Sequence, residues 1–426
     1  YRLPRPPQGA ELVRSIRASL KLLSVCPERV TLPLFSAIWR PVLGEVDVAI
    51  YLSGQTGNGK SELAALAQQH FGAEMSRRHL PANWDSSANA LQGIAYYAKN
   101  TVVTIDDFVP RGSAGDIARL HREADRLIRA AGNAQGRETL TATRQLRGSY
   151  YPRSLVLATG EDIPKGPSCR ARMVICETEP SDMNWDALTE CQAEAAAGLY
   201  AQTMAAFVQW LAPRLDQMPQ RILEQLSAFR EQWAHRDHHS RTPDNLANLS
   251  CGLDVFLEFA RDARALTERQ ARQLWERALA AYDEAAKAQD RTQEHGEPTK
   301  QYLSLLSTAL SSGQAHLVMR DGSRPDHEAM YGWAMVNGDW RAQGRKIGWI
   351  DGAQLLLDPK ASFAVVQNIG REISDPIPVT LQTLGRRLKQ RGVLREFEEG
   401  RETTTARRYV ESGRRVPVWV ISQEVL

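Results

Sequence analysis

The chain has 426 residues, which is more than one hydrophobic core usually organises, so we expect roughly two or three domains. Hydrophobic residues make up 42% and charged residues 24%, which excludes a wholly disordered, collagen-like or coiled-coil protein. The net charge of +3 does not indicate an acidic partner, so any basic surface has to be local.

Cysteine content and hydropathy bear on where the protein works. The five cysteines include no Cys-x-x-Cys pair and are odd in number, which argues against a disulfide framework or a structural zinc site. We therefore expect a cytoplasmic protein. No apolar run reaches the roughly 18 residues of a membrane span, so we expect no membrane partner. Because the sequence begins with Tyr1 rather than Met, we expect it to be part of a longer chain.

Strands alternate with helices in the first part of the chain. An amphipathic helix is predicted over 11–23, and a buried strand over 46–52 leads into a Gly-rich turn that opens a helix from Ser61 to about His70. Further strands are predicted at 101–105, 155–158 and 173–176, with a weaker one near 77–83, and further helices at 86–98 and 114–131. This alternation predicts an α/β fold, a parallel sheet with helices on both faces.

The pattern changes twice beyond this α/β part. Residues 185–310 are almost entirely helical in pattern, and the polar stretch 286–300 is predicted to be a solvated loop or linker. Beyond Gly313 short strands alternate with turns and are followed by a helix from about Ser362 to Glu372. We therefore expect a helical region and then a small α+β module.

A phosphate-binding motif lies between the first predicted strand and its helix. Residues 54–61 match the pattern GxxxxGK[ST], which points backbone N–H groups and a helix N-terminus at a phosphate. Lys60 would reach the β- and γ-phosphates of ATP, and the Ser61 hydroxyl would bind Mg²⁺. A Gly-rich turn without nucleotide is the alternative. The residues expected to bind the nucleotide are Gly54, Thr56, Gly57, Asn58, Gly59, Lys60, Ser61 and Glu62.

A second acidic element follows the buried strand at 101–105. Hydrolysis needs a carboxylate for Mg²⁺ and a group that orients the attacking water. Asp106 would bind the metal and Asp107 would orient the water. The alternative is that both carboxylates cap the next helix. Glu161, which follows the strand at 155–158, could assist or merely cap, and with Asp106 it is next in line for the role of Asp107.

These residues resemble the AAA+ ATPase domains of replicative helicases, in particular the primase-helicase ATPases of plasmids, integrative elements and prophages. The resemblance covers about residues 12–260 and includes, beside the phosphate loop, segments 84–91, 158–161 and 170–173. It implies a Mg-dependent ATPase that works as a DNA helicase in replication of a mobile genetic element, as a ring that we expect to be a hexamer. Asp107 stands where Glu is usual and Thr159 where Asn is frequent, and both departures bear on the hydrolysis rate.

The resemblance also implies roles for four further residues. Thr159 would be the sensor that bonds the γ-phosphate or the attacking water. Arg170 or Arg172 would reach the neighbouring subunit's site and stabilise the transferring phosphoryl group, although both could be surface arginines that flank a strand. Arg241, at a helix start, would contact the γ-phosphate. The histidines within 235–239 lack a cysteine or carboxylate at matching spacing, so a metal site there is disfavoured.

Similar helicases insert a hairpin before the sensor strand and aim it at a central pore. Residues 136–148 alternate polar and apolar side chains between two glycines, which predicts such a hairpin. Arg137, Arg144 and Arg147 would follow a single-stranded backbone by charge. A solvated loop rich in arginine is the alternative.

The C-terminal part concentrates positive charge. Residues 385–415 contain ten basic and five acidic residues, a local charge of +5. An N-capped amphipathic helix from about Pro378 and two strand-like pieces that end in 416–422 predict a winged helix. Its expected contacts with DNA phosphates are Arg386, Arg387, Lys389, Arg407 and Arg408. A role in protein–protein contacts is the alternative.

The sequence thus predicts four parts: an N-terminal helical entry (1–45), a P-loop AAA+ core (46–180), a helical lid or middle region (181–312) and a C-terminal winged-helix module (313–426). The main hypothesis is a ring-forming DNA helicase with ATP and Mg²⁺ as cofactors and a primase, upstream or separate, as a partner. The alternative is a non-translocating ATPase switch, such as an initiator, a loader or a DNA-bound regulator. A metabolic kinase is disfavoured because it needs neither a basic wing nor a subunit-bridging arginine.

Overall fold

The structure is a computed structural model that describes most of the chain in two compact units, Tyr1–Gln293 and Glu294–Leu426. Side chains and backbone are described for residues 1–135, 150–234, 240–290, 297–373, 375–398, 403–411 and 413–425, and the backbone alone for 139–140, 146–147 and 291–295. The finer four-part division of the chain stays a prediction.

The first unit begins with two helices and continues as an alternation of strands and helices. The opening helices are α1 (Gly9–Lys21) and α2 (Glu28–Trp39). The elements that follow are β1 (Ala49–Ser53), α3 (Lys60–Gln68), β2 (Ala82–Asn83), α4 (Ala88–Tyr97), β3 (Val102–Phe108), α5 (Ala114–Ala131), β4 (Thr139–Leu140), β5 (Leu146–Arg147), β6 (Leu155–Gly160), α6 (Pro167–Arg170) and β7 (Met173–Glu177).

Five of these strands form one parallel sheet in the order β2-β3-β6-β1-β7. All five residues of β1 are buried, and its side chains alternate between two hydrophobic clusters. Ile50 and Leu52 pack with α2 and α3, whereas Ala49 and Tyr51 pack with residues of α4 and α5. A strand covered on both sides needs helices on both faces, so the predicted α/β sheet is confirmed.

Beyond β7, the described residues of the first unit form no strand. Their α-helices are α7 (Trp185–Ala196), α8 (Leu199–Leu211), α9 (Met218–Ala234), α10 (Thr242–Asp262) and α11 (Glu268–His295), which continues two residues past Gln293. Trp39 of α2 packs against two of these helices. Its ring stacks on Phe256 of α10 at 4.4 Å between centroids and meets Phe207 of α8 edge-on at 5.1 Å. Burial of such an aromatic ring stabilises the fold by about 1.5–3 kcal/mol.

The prediction of a solvated linker over 286–300 is wrong for most of that stretch. Helix α11 continues to His295, because one of its faces is apolar despite a polar average, and Ala285 and Ala286 are buried on that face. The buried Gln289 amide donates to the Met173 carbonyl oxygen at 2.8 Å. A polar composition therefore concealed a helix with a narrow buried stripe.

The second unit contains α12 (Pro298–Ser311), β8 (Ala315–Met319), β9 (Trp333–Val336), β10 (Asp339–Ala342), β11 (Arg345–Asp351), β12 (Gln354–Leu357), α13 (Pro359–Glu372), α14 (Leu381–Gln390), β13 (Ala406–Val410) and β14 (Arg414–Ser422). Five strands form a sheet in the order β13-β14-β12-β11-β8, and β9 and β10 form a separate antiparallel ribbon. Of the pairings described within the five-stranded sheet, that of β8 with β11 is parallel and the other three are antiparallel.

The order α12, β12, α13, α14 and the β13–β14 hairpin is that of a winged helix, to which β8 and β11 add two strands. The predicted cap of α14 is present, since the Thr380 hydroxyl accepts from the Thr383 N–H at 3.3 Å. Leu384 and Leu388 bury the inner face of this helix. Within the described parts of the chain, no helix is both long enough and apolar enough to cross a membrane.

Candidate nucleotide site and basic surfaces

The phosphate loop joins β1 to α3 in a shape that requires glycine. Gly59, the residue before α3, has a φ of 73°, and a Cβ there would lie 2.5 Å from the Met183 methyl group. A Cβ on Gly54 would lie 2.4 Å from the Thr178 hydroxyl oxygen. The loop therefore curls against the segment after β7 and leads directly into α3. The N-terminus of that helix is where backbone N–H groups bind a phosphate.

Lys60 lies inside the curl of this loop. Its ammonium group donates to the carbonyl oxygens of Gly54 and Gln55, each at 2.7 Å. Burial lowers the pKa of Lys60, and the carboxylates of Glu161, Asp106 and Asp107 oppose that shift. The charge is thus held where a phosphate would enter, and it is stabilised by acidic groups on the opposite wall.

Asp106 faces Ser61 across the site. Its Oδ1 accepts hydrogen bonds from the Ser61 hydroxyl at 2.8 Å and from the Thr159 hydroxyl at 2.5 Å. A serine hydroxyl and a carboxylate side by side are the protein oxygens with which P-loop proteins hold Mg²⁺ beside phosphates. The residues present therefore fit a Mg²⁺ ion.

Asp107 owes its position to a break in the sheet. The pairing of β3 with β6 shifts register between Ile105 and Phe108, and Asp107 has a φ of 66°, rare for a residue with a side chain. Its N–H donates to the Thr159 hydroxyl oxygen at 3.1 Å. The bulge leaves the Asp107 carboxylate exposed at the cleft, unlike that of the half-buried Asp106.

A cleft of about 440 Å³ gathers most of the predicted nucleotide residues. Those along its walls are Thr56, Gly57, Gly59, Lys60, Ser61, Glu62, Asp106, Asp107 and Thr159. Asn58 lies behind the loop, where its amide donates to the Thr178 carbonyl oxygen at 3.0 Å. Glu161 also lines the cleft, accepts a hydrogen bond from the Thr56 hydroxyl, and pairs with Arg111 at 3.5 Å.

Three lining residues escaped the sequence analysis: Arg77, Asn83 and Trp185. Arg77 pairs with Glu62 at 3.0 Å, and Gln192 donates to the other oxygen of that carboxylate at 2.8 Å. Trp185 is the first residue of α7 and is 52% exposed. Asn83 reaches the cleft because it ends β2 opposite Asp106 of β3, whereas Trp185 reaches it through the packing of α7, which no local pattern indicates.

The three arginines predicted to contact phosphates lie near the amino-terminal ends of the sheet strands, opposite the end that carries the phosphate loop. The Arg172 carbonyl oxygen accepts from the Ala49 N–H at the amino end of β1, whereas the phosphate loop follows Ser53 at the other end. These two ends are about 13 Å apart at roughly 3.3 Å per residue. Arg170 donates from Nε to the Pro164 carbonyl oxygen at 3.1 Å.

Arg241 lies with Arg172 rather than with the phosphate loop of its own chain. Its Nη1 donates to the Gly132 carbonyl oxygen at 3.3 Å, and both Nε and Nη2 of Arg172 donate to the side chain of the next residue, Asn133. Burial lowers the pKa of Arg172, and the positive charges of Arg241 and Arg129 lower it further. The two guanidinium groups thus form part of one basic cluster.

The predicted hairpin before the sensor strand is confirmed in its backbone. Thr139 and Leu140 of β4 pair antiparallel with Arg147 and Leu146 of β5. Arg147 lies in the second strand, whereas Arg137 and Arg144 lie outside the described residues, as do the histidines at 235–239. Among the described residues, no cluster of three or more histidines, cysteines or carboxylates could hold a metal ion.

The basic residues of the second unit differ in whether acidic or aromatic side chains lie next to their charged groups. Arg408 pairs with Glu396, Arg407 lies 3.8 Å from Glu398, and the Lys389 ammonium lies 3.9 Å from the centre of the Phe397 ring. Arg386 is exposed and Arg387 is half-buried on α14, and neither makes an ion pair among the described residues.

Comparison with known proteins supports the fold. No family model matches the chain, and no curated protein matches it. Among solved structures, the chain is similar to "SCCmec type IV Cch - active helicase", with a TM-score of 0.60 and 14% identity over 99% of this chain and 71% of that one. At this identity the likeness shows that the two chains share a fold.

Proposed function

We propose that the protein is a DNA helicase or translocase that is driven by its own Mg-dependent ATP hydrolysis. The observation that carries this proposal is the meeting of Lys60, Ser61 and Asp106 in one cleft, with Asp107 exposed beside them. A phosphate-binding lysine, a metal-binding hydroxyl–carboxylate pair and a second carboxylate are the parts that nucleotide hydrolysis requires. The fold shared with a protein described as an active helicase supports the further step to DNA unwinding.

Each residue of the cleft has a distinct task in this proposal. Lys60 exchanges the carbonyl oxygens of Gly54 and Gln55 for the β- and γ-phosphates. Ser61 and Asp106 hold Mg²⁺, which neutralises charge on the phosphates when bound. Asp107 orients the attacking water. Thr159 donates to the Asp106 side chain and accepts from the Asp107 backbone, so it sets the spacing of the two carboxylates.

We further propose a ring, expected to be a hexamer, in which one subunit completes the site of the next. Arg170 and Arg172 lie at the sheet edge opposite their own phosphate loop, which suits a role in the neighbour's site. An arginine supplied in this way stabilises the charge of the transferring phosphoryl group. Arg241, held beside Arg172, lies at the same end of the sheet, which suits contact with the γ-phosphate in a neighbouring subunit's site.

The DNA-facing parts in this proposal are the β4–β5 hairpin, with Arg137, Arg144 and Arg147, and the winged helix of the second unit. Arg386 and Arg387 are its strongest candidates because their charges are free of ion pairs among the described residues. The resemblance to primase-helicase ATPases adds a cytoplasmic role in replication of a mobile genetic element, with a primase as an upstream domain or separate partner.

Two assays on one preparation test the proposal. ATP hydrolysis should rise when single-stranded DNA is added, and a forked duplex should be separated with ATP but not with a non-hydrolysable analogue. Lys60→Ala should abolish both activities. An ATPase that binds DNA and assembles with ATP but separates no strands would support the alternative function, a non-translocating switch.

A further inference from the structure

Four tyrosines form an exposed cluster at the base of the β4–β5 hairpin. Tyr96 and Tyr97 end α4, and Tyr150 and Tyr151 precede β6. The Tyr96 ring meets the rings of Tyr97 and Tyr150 edge-on, at centroid distances of 5.4 and 4.9 Å. Tyr97 is 72% exposed and Tyr150 47% exposed, which is unusual for large rings that have aromatic neighbours to pack against.

The backbone beneath these rings is fixed. The Arg153 N–H donates to the Ala95 carbonyl oxygen, and the Asn100 N–H donates to the Arg153 carbonyl oxygen, both at 3.0 Å. The Arg153 guanidinium lies 3.7 Å from the centre of the Tyr96 ring and donates to the Tyr96 carbonyl oxygen at 2.9 Å. The backbone that carries the rings, and the Tyr96 ring between them, are therefore held in place before any partner binds, which lowers the entropic cost of binding.

The two segments that carry the rings have charged side chains of one sign. Residues 86–101 and 146–154 contain Lys99, Arg147 and Arg153 and no Asp or Glu. Lys99 is exposed beside Tyr97. Arg147 precedes Tyr150 by three residues, so its Cα lies within about 11 Å of that of Tyr150 whatever the conformation between them. Exposed rings on segments whose charged side chains are all cations complement a partner that has both flat bases and phosphates.

We infer that Tyr97 and Tyr150 form a stacking platform for the bases of single-stranded DNA, with Lys99 and Arg153 beside its phosphates. This inference rests on the proposed action on DNA and extends it to a contact that does not depend on arginine alone. It places a strand that leaves the hairpin over the end of α4. A second copy of the chain is the competing occupant, and the positive charge of both segments that carry the rings favours the nucleic acid.

The test uses fluorescence anisotropy with two labelled strands of about 20 nucleotides, an oligothymidine and an abasic strand of the same length. The double variant Tyr97→Ala/Tyr150→Ala should bind the oligothymidine at least about fivefold more weakly, because each stacked base contributes a factor of roughly five to a hundred. Its affinity for the abasic strand should be that of the wild type. Tyr97→Phe/Tyr150→Phe keeps the rings and should bind both strands normally.

Leu223→Ala removes an exposed apolar side chain from α9 and is the matched control, which should change neither affinity. Unchanged oligothymidine affinity in the double alanine variant would overturn the platform. Equal loss on both strands would overturn it too, since stacking needs bases, and so would a change of oligomer size at normal DNA affinity, which would assign the rings to a subunit contact. A wild-type chain that binds neither strand would instead overturn the proposed action on DNA.

Discussion

The phosphate cleft and the basic part of the winged helix were both indicated by sequence, yet they turn out differently. In the cleft, nine predicted nucleotide and catalytic residues line one space of about 440 Å³. In the winged helix, two of the five predicted DNA-contacting residues, Arg407 and Arg408, lie next to glutamates of the same module. One prediction concerned a geometry and the other an amount of charge.

The difference follows from what each pattern constrains. Gly59 and Lys60 can adopt their roles only where a strand leads into a helix, so the motif also predicts the local backbone conformation. A count of arginines predicts no backbone conformation, and nearby glutamates can neutralise the positive charge of the arginines once the chain folds. Glu396 and Glu398 do this for the β13 arginines.

The largest effect is expected at the lysine of the cleft. Lys60→Ala should lower ATP turnover by at least about a hundredfold, because it removes the cation that meets the phosphates. Lys360→Ala, at an exposed position on α13, should have wild-type turnover. Steady-state hydrolysis assays check both, and near-normal turnover in Lys60→Ala would separate the cleft from the activity.

The next largest effect concerns the two carboxylates that could orient the attacking water, Asp107 and Glu161, whose substitution should affect hydrolysis to different degrees. Asp107→Asn should retain nucleotide binding and lose about a hundredfold or more in hydrolysis, whereas Glu161→Gln should lose less than about tenfold, because Glu161 already bonds Thr56 and pairs with Arg111. Single-turnover hydrolysis with a separate binding titration distinguishes the steps. Wild-type hydrolysis in Asp107→Asn would transfer the role to Glu161 or Asp106.

Mixed subunits should show a partial effect that a self-contained site cannot produce. Arg172→Ala and Lys60→Ala should each be nearly inactive, yet freely exchanging mixtures should regain part of the activity, since an intact loop can then meet an intact arginine. Arg170→Ala in the same assay identifies which arginine acts. Absence of recovery in exchanging mixtures, or full activity in both arginine variants, would remove the role across subunits.

The smallest effect concerns the winged helix. Arg386→Gln/Arg387→Gln should flatten the plot of log affinity for duplex DNA against log salt by about one to two units of slope, since each lost phosphate contact lowers it by about 0.9. Arg407→Gln/Arg408→Gln should change the slope less, because glutamates already lie beside these residues. Equal slopes in both variants and the wild type would favour a protein partner for this module.

The sequence predicted the sheet and the cleft because strand periodicity and loop glycines are local. It predicted neither the bulge that exposes Asp107 nor the approach of Trp185, since both depend on contacts between distant segments. It misread 286–300 because average polarity hides a stripe as narrow as that of Ala285 and Ala286. It could not predict that the helix after Arg241 begins beside Gly132, since that too depends on packing.

The most direct test of the ring motor is electron microscopy of the protein with a slowly hydrolysed ATP analogue and forked DNA. We expect closed rings with one DNA strand in the pore beside the predicted hairpin at 136–148, and Arg170 or Arg172 of each subunit at the phosphate loop of the next. Particles that remain monomeric with nucleotide and DNA, or rings whose phosphate loops meet no neighbouring arginine, would contradict it.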